Sequence, residues 1–363
     1  MSTTMQGDRM NGRKRKARAR DGRRPVLVCG GAGFIGLHLC SRLLQQGKRV
    51  ICIDNFCTSS EDVLIDLLDD ERFELRRQDV ATLEEDEVGP VSAIFNLACA
   101  ASPIHYQRDP LGTLFSSVHG MNNLLRLARR YQAPIFQSST SEIYGHPTVH
   151  PQAETYWGHV NTLGPRSCYD EGKRCAETLC YIYQQHYGVA VRIARIFNTY
   201  GPGMRLSDGR VVVNFIAQAL SNQPITIYGD GSQTRSFCYV DDLVDGIVRL
   251  MAPGNEFAGP VNLGNPNEIE VGELAARIVA FTGSRSPIIC RPLPIDDPPR
   301  RRPDIALAWQ ELGWRPTTDL DSGLQRTIRD VQRRLQRGDL SLPAIVSKTQ
   351  PIRTSTGAEA SVP

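Results

Sequence analysis

Tyr169 and Lys173 stand four residues apart in RSCYDEGKRCAE (166–177). On a helix, that spacing puts two side chains on one face, where both can reach one ligand. A phenol titrates near about 10. A neighbouring ammonium lowers that value, so a tyrosinate can serve as a base near neutral pH. The pair alone also fits an ordinary helix surface. A second cluster, SSTSEIYG (138–145), closes a strand-like run with Thr140, Ser141 and Glu142. A Ser or Thr hydroxyl can share a proton with a substrate oxygen beside Tyr169. Glu142 adds what simple hydride transfer does not require, a carboxylate able to move a proton next to an oxidised centre.

Both clusters need a partner that accepts electrons, and the start of the fold offers one. PVLVCGG is a short apolar strand running into GGAGFIG, where Gly30, Gly33 and Gly36 are spaced G-x-x-G-x-x-G around Phe34 and Ile35. One glycine permits the tight turn and another lets backbone N–H groups approach a pyrophosphate. The last allows close helix–strand packing. RVICID then ends in Asp54, placed to accept hydrogen bonds from adenosine ribose hydroxyls and to repel a 2′-phosphate. The cofactor is therefore expected to be NAD rather than NADP. Asn55 beside it, Asp79 and Val80 after the third strand, and Leu97 and Ala98 after the fourth complete the expected cofactor edge. The nicotinamide ring of such a cofactor would add to the lowering of the Tyr169 value.

The elements that must hold these groups alternate. Strand-like runs recur at FELRRQDV (73–80), VSAIFNLA (91–98), PIFQSSTS (134–141) and VAVRIARIF (189–197). Helical apolar spacing fills about 112–131 and 167–187 between them. The pattern predicts an α/β fold, a Rossmann-type doubly wound parallel sheet with a smaller C-terminal substrate-binding lobe. Residues 25–200 are expected to form mainly the NAD-binding part and 201–335 mainly the lobe, with some crossing of the chain between them. The Pro- and Arg-rich segment 286–303 is expected to be an extended loop. Residues 1–24, with the basic run RKRKARARDGRR, are expected to be a disordered tail, and 340–363 a loose one.

Bulk properties narrow the function classes. The chain has 363 residues, 40% apolar and 22% charged, with a net charge of +3 that lies largely in the basic run. That run is a solvated tail by composition, so no nucleic-acid partner is expected. No stretch of about 18 apolar residues is present, and the N-terminus lacks an apolar signal core, so no membrane partner is expected. Ten cysteines contain no C-x-x-C pair. They read as reduced thiols of a cytoplasmic protein. His105, His119, His146, His150 and His159 have no metal-site spacing and read as surface or loop residues, so no metal is expected.

Over roughly residues 25–330 the chain resembles the extended short-chain dehydrogenase/reductase superfamily, in its nucleotide-sugar branch. The strings LACAASPIHYQ (97–107), STSEIYG (139–145), GPRSCYDEGKR (164–174), RIFNTYGP (195–202), IYGDGSQTRSF (227–237) and RRPD (301–304) are similar to those of the UDP-glucuronate decarboxylase family. The resemblance implies a reaction. Tyr169, supported by Lys173 and Thr140, takes the proton of the sugar 4-hydroxyl as hydride leaves C4 for NAD. The resulting β-keto acid loses CO₂ because its electrons delocalise into the ketone. Ser141, Glu142 and Arg301 manage that loss and reprotonation at C5, and re-reduction at C4 gives UDP-xylose with NAD regenerated. It also implies that Arg235 lies near the diphosphate, that Arg210, Asn198 and Tyr228 line the nucleotide, that Tyr106 and Arg301 face the sugar, and that the protein is a homodimer. The chain departs from the family's pattern at Ser59, Ala100, Thr162, Leu163 and Gly203. The alternatives are a nucleotide-sugar 4,6-dehydratase or 4-epimerase on the same fold, and a non-enzymatic dinucleotide-binding regulator. Ser141, where a dehydratase usually has Asp, avoids a second negative charge beside a uronate.

Overall fold

Strands β1 (Val26–Cys29) and β2 (Val50–Asp54) are apolar on both faces and buried throughout, as strands covered by helices on two sides must be. In the computed structural model, which describes residues 24–293 and 300–338, they lie inside a seven-stranded sheet. With β3 (Phe73–Arg77), β4 (Ala93–Asn96), β5 (Ile135–Thr140), β6 (Val191–Ile196) and a last strand, Val261–Leu263, the order is Val261–Leu263, β6, β5, β4, β1, β2, β3. Every pairing in it is parallel. The two expected tails lie outside the described residues, Arg24 apart.

Alternation along β1 divides the core. Val26 and Val28 pack with α1 (Phe34–Gln45), the helix Val240–Leu250 and Trp314. Leu27 and Cys29 pack on the other face with the helices Met121–Tyr131 and Ser167–Tyr187. That is the doubly wound sandwich expected from the strand–helix alternation. The chain leaves the sheet after β6, and the helices Val211–Leu220, Val271–Thr282 and Leu320–Gln336 enclose a third core around Phe215, Ile216, Leu274 and Leu324. It returns to the sheet at Val261–Leu263.

Two local expectations change. The helix expected over 112–131 is Pro110–Phe115, one π turn at Ser116–Gly120, then Met121–Tyr131. At that turn the chain is crowded. A Cβ on Gly120 would lie 2.7 Å from Val80 Cγ2, and Ser117 Oγ meets Cys99 Sγ at 3.3 Å. The segment 286–303 is not wholly loop, because Ile288–Arg291 pairs in parallel with Ile225–Tyr228. Its two isoleucines supply the strand propensity that the surrounding prolines mask.

Candidate active site

The switch in strand order between β1 and β4 opens a crevice at the carboxyl ends of the strands, where ligands of such sheets bind. The turn after β1 fits a dinucleotide. Gly30 sits at φ +76°, and a Cβ there would lie 2.7 Å from the carbonyl carbon of Leu97. A Cβ on Gly36 would lie 2.2 Å from the Gly30 carbonyl oxygen. No side chain caps α1, so the N–H groups of its first turn, at Phe34 and Ile35, are left to meet a phosphate. Asp54 organises this cradle. Its Oδ2 accepts from Ala32 N at 2.9 Å, and its Oδ1 accepts from Phe56 N at 2.9 Å and Ser59 Oγ at 3.0 Å. Serine at 59, one of the departures, thus adds a hydrogen bond to the carboxylate that a glycine lacks.

From this cradle a cleft of about 640 Å³ runs toward the third core. Gly30, Gly33, Phe34, Ile35, Gly36 and Leu97 line it, while Asp54, Asn55, Asp79, Val80 and Ala98 stand outside its lining. Asn55 Nδ2 instead donates to Asp79 Oδ2 at 2.8 Å, and Asp79 caps the short turn at Val80. The far end is lined by Tyr106, Asn198, Arg210, Tyr228, Arg235 and Arg301. Between the two ends lie Thr140, Ser141, Glu142, Tyr169 and Lys173.

Tyr169 and Lys173 share one face of the helix Ser167–Tyr187, and both are buried. Lys173 Nζ donates to the Ser138 carbonyl at 2.8 Å and lies 5.9 Å from the centroid of the Tyr169 ring. Tyr169 stacks on Tyr106, with centroids 5.2 Å apart and planes inclined by 4°. Thr140 hydrogen-bonds Tyr169 and, with Arg210, pulls its value down. Burial outweighs both, and Tyr169 is raised above the ordinary phenol range. Burial also lowers Lys173. The lowered tyrosine expected from the sequence is therefore not produced by the chain's own groups, because the ammonium is turned to a carbonyl and is itself poorly solvated.

Glu142 is gripped from two sides, by Arg301 at Oε1 and by Arg166 at Oε2. Arg301 is 4% exposed, and its Nη2 also donates to the Gly145 carbonyl at 3.2 Å. Burial pulls Arg301 down to about 10, and the nearby Tyr106 hydroxyl offsets only part of that. Arg166 was missed in the sequence. It stands in the GPRSCYDEGKR string, three residues before Tyr169, and only the fold brings it to Glu142. His105, read as a surface residue, also lines the cleft. Arg205 reaches across the cradle's mouth to the Thr58 carbonyl at 2.8 Å. Gly203, two residues earlier, has φ +82° and donates its N–H to Asp330 Oδ2 at 2.9 Å. Among the described residues no cluster of His, Cys, Asp and Glu could hold a metal ion. No helix among them is long and apolar enough to cross a membrane.

A glycine cradle on a parallel sheet, opening onto a buried Tyr–Lys pair, defines a nucleotide-dependent oxidoreductase-type centre. The chain belongs to the NAD dependent epimerase/dehydratase family, whose model matches residues 26–264. It is 50% identical over 314 residues to UDP-glucuronic acid decarboxylase 1 of Arabidopsis thaliana, covering 86% of this chain and 71% of that one. It is 49% identical over 314 residues to UDP-glucuronic acid decarboxylase 1 of Danio rerio, covering 86% and 74%. Among solved structures it is similar to UDP-glucuronic acid 4-epimerase of Bacillus cereus in complex with UDP-glucuronic acid and NAD. The TM-score is 0.78 at 25% identity, with 85% of this chain and 99% of that one covered.

Proposed function

We propose that this chain converts UDP-glucuronate to UDP-xylose and CO₂. The observation that carries the reading is Glu142, a carboxylate gripped by two arginines in the same cleft as Tyr169, Lys173 and a dinucleotide cradle. Relatives of about half-identical sequence bearing the decarboxylase name support it. Gly30, Gly33, Gly36 and the first turn of α1 would hold NAD. When bound, NAD supplies a hydride acceptor at C4 and returns the hydride at the end.

Tyr169 takes the proton from the 4-hydroxyl, and Thr140, already hydrogen-bonded to it, orients that hydroxyl. Charge left on the C4 oxygen as CO₂ departs faces the same two hydroxyl groups, which act as donors to it. Arg301, made more acidic by burial, and Glu142 stand where a proton can be returned to C5. Arg235 and Arg210 suit the two phosphates of a UDP group. Ser141 leaves Glu142 as the one acidic group of this strand end, as a carboxylate substrate requires.

The test is to incubate the purified protein with UDP-glucuronate and NAD and follow the sugar by NMR with CO₂ captured. Equal amounts of UDP-xylose and CO₂ are expected, with no net NADH. A C4 epimer without CO₂, or turnover of UDP-glucose or dTDP-glucose alone, overturns the reading in favour of an epimerase or dehydratase. As part of the same reading the protein is a cytoplasmic homodimer. Two copies would pair through the helices at 110–131 and 167–187, which leave Leu111, Phe115, Tyr181 and Tyr187 exposed. Sedimentation should return twice the 40.3 kDa chain mass; a monomer at micromolar concentration refutes the pairing.

A further inference from the structure

Arg301 is half of the pair assigned to the step at C5, yet residues 300–305 around it belong to no helix and no strand. Its guanidinium pairs with Glu142 through Nη1 and donates to the Gly145 carbonyl through Nη2 at 3.2 Å. Its Nε, though buried, has no hydrogen-bond partner among the described residues. A long side chain held only at its tip takes its place from its backbone. Gln152 fixes that backbone. It is fully buried and forms an isolated parallel bridge with Pro303. Gln152 N donates to the Arg302 carbonyl at 2.9 Å, and Asp304 N donates to the Gln152 carbonyl at 2.8 Å. The side chain closes the clasp. Its Oε1 accepts from Arg302 N at 2.8 Å, and its Nε2 donates to the Val149 carbonyl at 2.7 Å.

The same clasp reaches Glu142. Asn262, fully buried on the last strand of the sheet, donates from Nδ2 to the carbonyls of Gln152 at 2.9 Å and Asp304 at 3.0 Å. Its Oδ1 accepts from the Tyr144 hydroxyl at 2.8 Å. Tyr144 ends the short turn Ser141–Tyr144 that carries Glu142. Both members of the Arg301–Glu142 pair are therefore tied to one buried amide network, in which every bond is strengthened by the exclusion of water. From the lobe, Ser236 Oγ adds a bond to the Arg301 carbonyl at 3.1 Å. We propose that Gln152 is a positioning residue, which holds Arg301 at a fixed reach from Glu142 and from C5 of the sugar without touching either. The inference rests on the decarboxylase reading above. Gln152, Asn262 and Ser236 do not line the cleft. Lys173 is held by the Ser138 carbonyl and Tyr169 by Thr140, so the groups at C4 do not depend on the clasp. Oxidation sends the C4 hydride to NAD and the hydroxyl proton to Tyr169. Departing CO₂ leaves its electron pair at C5, and a proton must join C5 before the hydride returns to C4. A loosened Arg301 delays that proton alone.

The test compares the holoenzyme with Gln152→Ala and Ser236→Ala by three readouts. These are turnover of UDP-glucuronate with CO₂ captured, calorimetric affinity for UDP, and the absorbance of bound NADH during turnover. A small displacement of a group at the reacting centre should lower kcat of Gln152→Ala by about 10- to 100-fold. KM and UDP affinity should stay within about twofold. Bound NADH should build up above the wild-type level, because oxidation at C4 outpaces the return of the proton. Ser236→Ala removes only the bond to the Arg301 carbonyl. It should show the same signature with a kcat loss of about two- to tenfold, and it serves as the test if Gln152→Ala does not fold. A fall of kcat, UDP affinity and NADH formation together would mean that Gln152 only supports the fold, and unchanged kcat in both variants would also overturn the proposal. Wild-type protein that releases no CO₂ sinks the decarboxylase reading and this inference with it. CO₂ from the wild type with no build-up of NADH in the variants sinks this inference alone.

Discussion

Tyr169→Phe is expected to lower kcat by about a thousandfold or more while UDP affinity stays within about twofold. The change removes one oxygen. The ring keeps its stack on Tyr106 and its place in a buried site, so the fold has no reason to respond. What goes is the group that exchanges a proton with the sugar hydroxyl, together with its hydrogen bond to Thr140. The pH profile sharpens the test. Burial raises Tyr169, so its neutral phenol is favoured in the chain's own environment and the base form is scarce at neutral pH. Turnover limited by that deprotonation should climb as pH rises through neutrality. In the phenylalanine variant the residual rate should lose this climb. A variant with near-normal kcat, or one that keeps the same alkaline rise, would remove Tyr169 from the proton step and turn attention to Lys173.

How far the sequence carried this site depends on the range of the forces involved. The glycine cradle was legible because each glycine answers to backbone a few residues away, as Gly36 does to the Gly30 carbonyl. The Tyr169–Lys173 pair was legible because a four-residue helical spacing is local geometry. The parallel sheet followed from buried runs such as VICID, whose both-sided apolarity leaves few other folds. The pairing of Arg166 with Glu142 was not legible. The two lie 24 residues apart on different elements, and an arginine near a catalytic string looks like any solvated cation. That the chain's own groups raise rather than lower Tyr169 was not legible for the same reason, since spacing reports which charges are near but not how much water is excluded. The π turn at Ser116–Gly120 and the strand Ile288–Arg291 have their causes in Val80 and in Ile225–Tyr228, far away in the chain.

Glu142→Ala should separate what the carboxylate does for stability from what it does for chemistry. Arg301 and Arg166 meet at it, both poorly exposed. Removing one partner of a buried pair leaves uncompensated charge, with a typical cost of about 3 kcal/mol. The two guanidinium groups then lose the carboxylate they share, so Tm should fall by roughly 4 °C in a scan of the ligand-free protein. CO₂ release should fall by about a hundredfold or more at temperatures where the variant is still folded. Glu142→Asp keeps the charge but draws it back by one methylene. It should recover most of the Tm, since the guanidinium groups can follow a carboxylate by a small shift. Its CO₂ release should recover far less, because a proton returned to C5 must cross a fixed distance from a group held in the turn that follows β5. If the aspartate restores both together, Glu142 serves only to hold the two arginines, and the proton at C5 must come from Arg301 or from water. If the alanine variant keeps its Tm, the two arginines are better hydrated than their burial implies, and Glu142 is not what holds them in place.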